Sequence, residues 1–533
     1  MASKEAPTVA VVGLGALGIV SVKNLLEQGF AVTGFDGNEF VGGLWHYTPD
    51  DRTSVLESTV INVSSERGCF TDFPFPADSD PFVKASVVEQ YLEDYVDHFK
   101  LWPHLRLSTH IRRVARAEEG DKWAVTIDKT GEVEYFDKVI MATGIGQFPL
   151  IPKFPGIEKF RGQTLHSRAF KKADNFKGRK VLVIGISNSG ADTVVTLQGH
   201  AEKIYASHRE GIAIMPRFNK GRPIDHSINV RLERMLGFLE KSFPSQAEAM
   251  VNKVIEKIML DNFQIRPEWK LLPAPSVKTT VAVISDHLVD AFEAGTVESV
   301  LGIKEFTGPN EVELVDGTRL DIDTVIYCTG YTNDFSILDR SVDPTRDTGR
   351  WKEIPSSKGS HCPRLYRNVF SLDYPHSLAF MGCAIFLSPA FQLYDLTSMA
   401  IAQIWAGNSN LPPLEEMIRI TDNHIDEMCE NARCRPKVLH PGWVNGAEFM
   451  AWANDMAGTG INDKLGWGPE GLKFWLTNPK LCNLIMGGIY SPHIFRLFET
   501  GKRKAWPGAE EEIKRVNVKV AKATKERQEK MTS

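Results

Sequence analysis

Residues 8–36, TVAVVGLGALGIVSVKNLLEQGFAVTGFD, read as strand, turn, helix and strand. The opening TVAVV is a β-branched apolar run too short for a helix, and glycine closes it at once. Gly13, Gly15 and Gly18 follow, with Leu14, Ala16 and Leu17 between them. In a dinucleotide-binding turn the first glycine permits the tight bend and the second lets the main chain approach a pyrophosphate. The third lets the following helix pack closely on the sheet. The helix predicted over IVSVKNLLEQ stops at Gly29, and its amino-terminal dipole faces the phosphates. A second apolar strand ends in Asp36, a carboxylate where ribose hydroxyls are expected. Because an acid there repels a 2′-phosphate, this site should hold FAD or NAD rather than NADP.

The pattern recurs at KVLVI, residues 180–184, followed by GISNSGAD. Gly185 and Gly190 take the outer glycine positions and Ser187 the middle one; Asn188, Ser189, Ala191 and Asp192 complete the candidate loop. Serine is small enough for phosphate approach, and its hydroxyl can donate to an oxygen. At the end of the next strand, KIYASHREG, the acid is replaced by Ser207, His208 and Arg209. A guanidinium there can fork onto a 2′-phosphate, which favours NADPH, the alternative being a merely solvated arginine. Two dinucleotide folds in one chain, one suited to FAD and one to NADPH, describe a flavoprotein passing hydride from nicotinamide to isoalloxazine.

The composition agrees with a globular α/β protein of several domains: 533 residues, 42% hydrophobic and 24% charged. A net charge of −5 forms no phosphate-neutralising surface, so nucleic acid is not an expected partner. Seven scattered cysteines, without CxxC, suit a reducing compartment and structural roles. No HExxH or paired-cysteine set suggests a metal site. The amino terminus shows no apolar segment with a cleavage site, so a cytoplasmic location is expected. The uncharged stretch 374–394 contains Pro375, His376, Pro389 and Gln392, so it reads as buried helix and loop rather than a membrane span. The charged tail from Glu510 reads as a solvated surface helix, with peripheral contact to an anionic membrane as the alternative.

Between the two nucleotide motifs, residues 160–170 read FRGQTLHSRAF. This resembles the FxGxxxHxxxY/F signature of the flavin-containing monooxygenases, a class B flavoprotein family. Related Baeyer–Villiger enzymes carry Trp at the last position, usually followed by Pro or Asp. Phe170 followed by Lys171 therefore resembles the nitrogen- and sulfur-oxygenating branch. Further matches are GGLW at 42–45, INVSSERGCFTDFPFP at 61–76, ATG at 142–144, DTVIYCTGY at 323–331 and SPHIFRLFETGKRKAWPG near the end. Departures are Asp36 where the family more often has Glu, Cys328 in place of the Ala of ATGY, and the residues after Asn62.

The resemblance implies that Asn62 contacts both the flavin and the nicotinamide part of NADP+, with Gly43, Leu44, Trp45 and Val63 also against the flavin. A neutral amide suits that place, since it holds a peroxide oxygen without delivering the proton that would expel hydrogen peroxide. His166 is expected to fix the linker by hydrogen bonding, and DFPFP to be a rigid turn. The expected architecture is two Rossmann-like domains, the NADPH domain inserted into the FAD domain. Residues 1–170 would form the first FAD part, 171–323 the NADPH domain with a helical insertion at about 216–281, and 324–533 the second FAD part. Substrate access would involve the insertion and the aromatic segment 374–405. The implied activity is transfer of one oxygen atom from O2, through a C4a-hydroperoxyflavin, to the nitrogen or sulfur of a small amine or sulfide. The rivals are Baeyer–Villiger oxidation of a ketone and, from another class, a dinucleotide-binding redox regulator without turnover. A homodimer is expected at the family level only.

Overall fold

The computed structural model describes residues 5–144, 146, 148–357, 359–434 and 441–532. Its first elements are those of the opening motif: β1 (Thr8–Val12), α1 (Ala16–Glu27) and β2 (Ala31–Phe35). The chain returns to β1 at β3 (Lys138–Met141) and leaves through the short β4 (Phe148–Pro149). A second set follows, with β5 (Gln163–His166), β6 (Lys180–Ile184), α2 (Asn188–Leu197) and β7 (Lys203–Ser207). Two insertion helices, α3 (Val230–Ser242) and α4 (Pro244–Asn262), precede β8 (Val297–Val300) and β9 (Thr324–Tyr327). The short β10 (Tyr331–Thr332) leads back to the first unit, which contains α5 (Ala390–Trp405) and the terminal α6 (Ala509–Thr532).

Period-two burial explains why each nucleotide motif sits at a sheet's centre. In β1, Val9 and Val11 pack with α1 and α5, whereas Ala10 and Val12 pack with a three-stranded antiparallel sheet spanning 111–136. In β6, Val181 and Val183 pack with α2, and Leu182 and Ile184 with a second three-stranded sheet spanning 303–321. The two units therefore repeat one three-layer plan. β1 pairs in parallel with β2 and β3 within a seven-stranded sheet. The second sheet is wholly parallel in the order β8–β7–β6–β9–β5.

That sheet moves the expected boundaries. β5 lies before 170/171 and β9 after 323/324, yet both are strands of the second unit. The sequence motifs place β5 in the first FAD part and β9 in the second, because those motifs lie near the crossings. The crossings themselves are β4 and β10, which pair antiparallel, Phe148 with Thr332 and Pro149 with Tyr331. The insertion is closed at its base by a parallel pairing of Ile214–Met215 with Val283–Ile284.

Within the aromatic segment 374–405, α5 is buried along almost its whole length against α1, whereas Leu387 just ahead of it is 60% exposed. The tail helix α6 lies at the surface, docked along one face through buried Ile513, Val516 and Val520, with Val518 exposed. Among the described residues no helix is long and apolar enough to cross a membrane. Cys434 is exposed, and the other six cysteines are buried.

Polar groups pin the helical layer to the DFPFP turn. Asp395 of α5, fully buried, accepts from the Thr71 N–H at 2.8 Å and hydroxyl at 2.7 Å, and from Asn24 Nδ2 of α1 at 2.8 Å. Beside it Asp72 pairs with Lys23, and with Arg496 at 3.4 Å. The aspartate of DFPFP is thus a buried ionic anchor as well as part of a turn. Asp395→Ala leaves three buried donors without their acceptor and should cost about 3 kcal/mol. A markedly lower urea midpoint for the purified variant checks this, and an unchanged midpoint refutes it.

Candidate functional site

The two glycine loops lie at the carboxyl ends of β1 and β6, the edge at which open parallel sheets bind ligands. The loops are built alike. Gly13 N–H donates to Phe35 O at 2.7 Å, and Gly185 N–H to Ser207 O at 3.0 Å. Both glycines have left-handed φ, +99° and +92°. A Cβ on Gly13 would lie 2.5 Å from the Ala142 carbonyl oxygen, and one on Gly185 2.7 Å from that of Cys328. A Cβ on Gly18 would lie 1.8 Å from Gly13 O, and one on Gly190 2.1 Å from Gly185 O. The outer glycines are therefore required by the protein's own packing.

Gly15 is not. Its φ of −69° suits any residue, and an added Cβ would meet protein no closer than 3.6 Å. Glycine there leaves open space beside the loop, into which a ligand could fit. Gly15 and Ser187 are the N-caps of α1 and α2, and neither helix start has a side-chain cap. Their open N–H groups suit an anion, and the exposed Ser187 hydroxyl stands beside the second set. Opposite the first loop, the GGLW turn approaches so closely that a Cβ on Gly43 would lie 3.0 Å from Gly15 Cα. Leu44 is 43% exposed there, and Trp45 is half-buried, edge-on to Phe391. The side chains of Leu14, Ala16, Leu17 and Ala191 are core, so those residues can face a ligand only through their main chains.

Asp36 has two duties. Its Oδ2 accepts from Leu14 N–H at 2.7 Å and its Oδ1 from Asn38 N–H at 2.8 Å, so the carboxylate also ties β2 to the glycine loop. Burial raises its pKa, against the opposing effect of these hydrogen bonds. In the second unit Ser207 departs from expectation. It is buried and its hydroxyl donates to Leu301 O at 3.1 Å, because the β7–β8 pairing turns it inward. His208 is likewise held inside, 2.8 Å from Ser299 Oγ. Exposed Arg209 is left as the residue able to read a 2′-phosphate.

Asn188 Oδ1 accepts Ile284 N–H at 2.9 Å, tying α2 to the base of the insertion, and Ser189 is exposed. Burial pushes the Asp192 carboxyl up to about 6, with nearby Arg217 opposing the rise. His166 acts at the crossing: its Nδ1 accepts Arg168 N–H at 3.2 Å, which leaves Nε2 to donate to Gly330 O at 3.0 Å. Burial lowers its pKa, in keeping with the neutral ring that this pairing needs.

Arg217, which the motifs did not reveal, joins the two units at Asn62. Its Nε donates to Ile61 O at 3.1 Å, and Nη2 to Val60 O and to Asn62 Oδ1, both at 3.0 Å. Asp286, at the far side of the insertion, accepts from Arg217 N–H at 2.9 Å and Nη1 at 3.0 Å. The arginine fixes the amide orientation, so Nδ2 of Asn62 is the face left to donate, and Val63 lies beside it over Gly68. The available sequence signal was a lone arginine ending the apolar run IAIMP, but its partner segments are remote in the chain. Among the described residues no cluster of His, Cys, Asp or Glu is arranged to hold a metal.

Comparison with known proteins follows this geometry. The profile of the FMO-like family, described as flavin-binding monooxygenase-like, matches residues 6–533. Monooxygenase aurF of Gibberella zeae is 40% identical over 516 residues, covering 96% of this chain and 97% of that protein. The solved structure of S-allyl-L-cysteine S-oxygenase from Allium sativum aligns with a TM-score of 0.60 at 21% identity, covering 85% and 89% of the two chains. Cyclohexanone monooxygenase from Rhodococcus sp. Phi1, bound to NADP+, aligns with a TM-score of 0.58 at 20% identity, covering 86% and 98%.

The different duties of the glycines are separable. Gly15→Ala should fold with the apoprotein's melting temperature nearly unchanged yet bind FAD at least about tenfold more weakly, ~1.4 kcal/mol. Gly18→Ala should lose the fold itself. Flavin titration of refolded Gly15→Ala protein checks the first half, and undiminished affinity would refute the assignment of the space beside Gly15 to the flavin.

Proposed function

Because this chain belongs to the flavin-binding monooxygenase-like family, whose cofactors are FAD and NADPH, we propose that it transfers one oxygen atom from O2 to a soft nitrogen or sulfur centre of a small molecule. The FAD site is the first glycine loop with Asp36 and the GGLW turn, and the NADPH site is the second loop with Arg209. FAD supplies the activation of O2, which no side chain here provides. The protein's part is to bind both cofactors, exclude water and hold the Asn62 amide in one orientation.

The observation that carries this reading is the Asn62–Arg217 contact across the two units. A donor amide fixed where the two units meet can orient a reacting oxygen without supplying a proton, which soft nucleophiles do not require. Phe170, buried against Phe176 and followed by Lys171, supports the heteroatom branch. Lys171 donates to Arg52 O and Ser54 Oγ, so the linker is tied to the first unit at this point.

A ketone substrate is the second reading, favoured by Arg217 itself. A guanidinium beside Asn62 would stabilise negative charge on a transferred oxygen, the form that adds to a carbonyl. Asp286, 3.0 Å from the same guanidinium, offsets that field. Paired sulfide and ketone substrates separate the readings by product mass and connectivity.

Asn62→Ala should keep oxidising NADPH while product formed per NADPH falls about tenfold and hydrogen peroxide takes its place. Unchanged coupling would overturn the role given to Asn62. Arg209→Ala should raise the NADPH KM about tenfold and leave the NADH KM unmoved, as expected on losing a charge-assisted pair worth ~1.4 kcal/mol. An equal effect on both nucleotides would reject the 2′-phosphate contact.

A further inference from the structure

Asn62 opens a tight turn in which Arg67 N–H and Gly68 N–H both donate to Ser64 O, at 2.9 and 2.7 Å. The side chains of this turn reach into two remote segments. Ser64 donates through both its N–H and its hydroxyl to Asp225 Oδ2, each at 2.8 Å. With that proton committed, Ser64 Oγ can only accept from His226 Nε2, 3.0 Å away. The same Nε2 lies 3.3 Å from Glu66 Oε2. The other Glu66 oxygen lies 2.8 Å from Lys519 Nζ on α6.

The Glu66 and His226 side chains are 3% and 1% exposed, so the carboxylate is inside the protein. Burial alone would push its pKa up; His226 and Lys519 reverse that and hold it down to about 2. A buried carboxylate deprived of a cation cannot stay where it is without cost, and Glu66 sits in the same turn as Asn62, so a shift of the carboxylate is passed to that turn. Lys519 is itself fixed, because Nζ also donates to Ser79 O at 2.8 Å. Arg67 adds a bond to Asp225 O at 2.6 Å and lies over the Tyr490 ring.

We propose that Lys519 of the carboxyl-terminal helix is a positioning residue for Asn62, acting through Glu66 and His226 on the turn that carries the amide. The inference rests on the reading of Asn62 given above. The terminal helix is then part of the apparatus that sets how oxygen is delivered, and a displacement of the turn by about 1 Å suffices to alter delivery.

The test uses full-length holoenzyme. Lys519→Met keeps chain length and removes the cation; Lys519→Arg keeps the cation; Lys522→Met, one turn along and exposed, is the control. Lys519→Met should retain FAD and reduce it with NADPH within about twofold of wild type, while the hydrogen peroxide released per product rises about fivefold. Amide hydrogen exchange over residues 62–68 should rise with it. Lys519→Arg should restore coupling, and Lys522→Met should change neither readout. If Glu66→Gln also folds, the double variant should uncouple no more than the more severe single one. Unchanged exchange and coupling in Lys519→Met, with Asn62→Ala uncoupled, would overturn this inference alone. Normal coupling in Asn62→Ala would remove the reading of Asn62 beneath it.

Discussion

Two carbonyl oxygens occupy the space that side chains at Gly13 and Gly185 would need, that of Ala142 in the first unit and that of Cys328 in the second. In each unit the strand after a three-stranded antiparallel sheet ends with its carbonyl beneath the glycine loop. In each, the next helix starts so close that only glycine fits at the loop's third position. This main-chain contact fixes where the helix N-terminus points, and hence where an anion can sit. Cys328 satisfies it as well as Ala142, since the backbone makes the contact. Its thiol is buried in the core, 3.7 Å from Thr193 Oγ1, and burial pushes its pKa up to about 12.

Local signals were legible where they coincide with tertiary need. Both glycine loops, their flanking strands and Asp36 can be read from the sequence because strand period, glycine spacing and helix stop all agree within about thirty residues, whereas the linker histidine is marked only by the resemblance to a family signature. Arg217 could not be read that way: its partners Val60, Ile61, Asn62 and Asp286 come from separate segments, and no periodic pattern marks it. Ser207 was misjudged because a strand's last residue faces either in or out, and the pairing with β8 decides which. The aromatic stretch 374–405 suggests an access route by composition, but composition does not reveal that α5 supplies core against α1 while Leu387 ahead of it stays exposed. The domain boundaries shifted for a related reason: β5 and β9 are edge and interior strands of a sheet whose order only folding reveals.

The polar interior divides its work between the two ends of the segment 62–72. Asp72 and Thr71 anchor the far end to α1, α5 and Arg496, an ionic cluster within the first unit. Ser64 and Glu66 anchor the near end to the insertion and the tail. One short segment is thus held by the helical layer at one end and by remote chain at the other, with Asn62 at the border. Such buried polar networks fix geometry more than they add stability, since each charge has been taken out of water at a cost.

The antiparallel pairing of β4 with β10 has a topological corollary. Phe148 and Thr332 are register partners, so the chain re-enters the first unit beside the spot where it departed. A short turn between these two positions would close the host without disturbing its strand order. The whole intervening module is topologically a loop on a parent sheet, which offers a physical route for inserting one nucleotide fold into another.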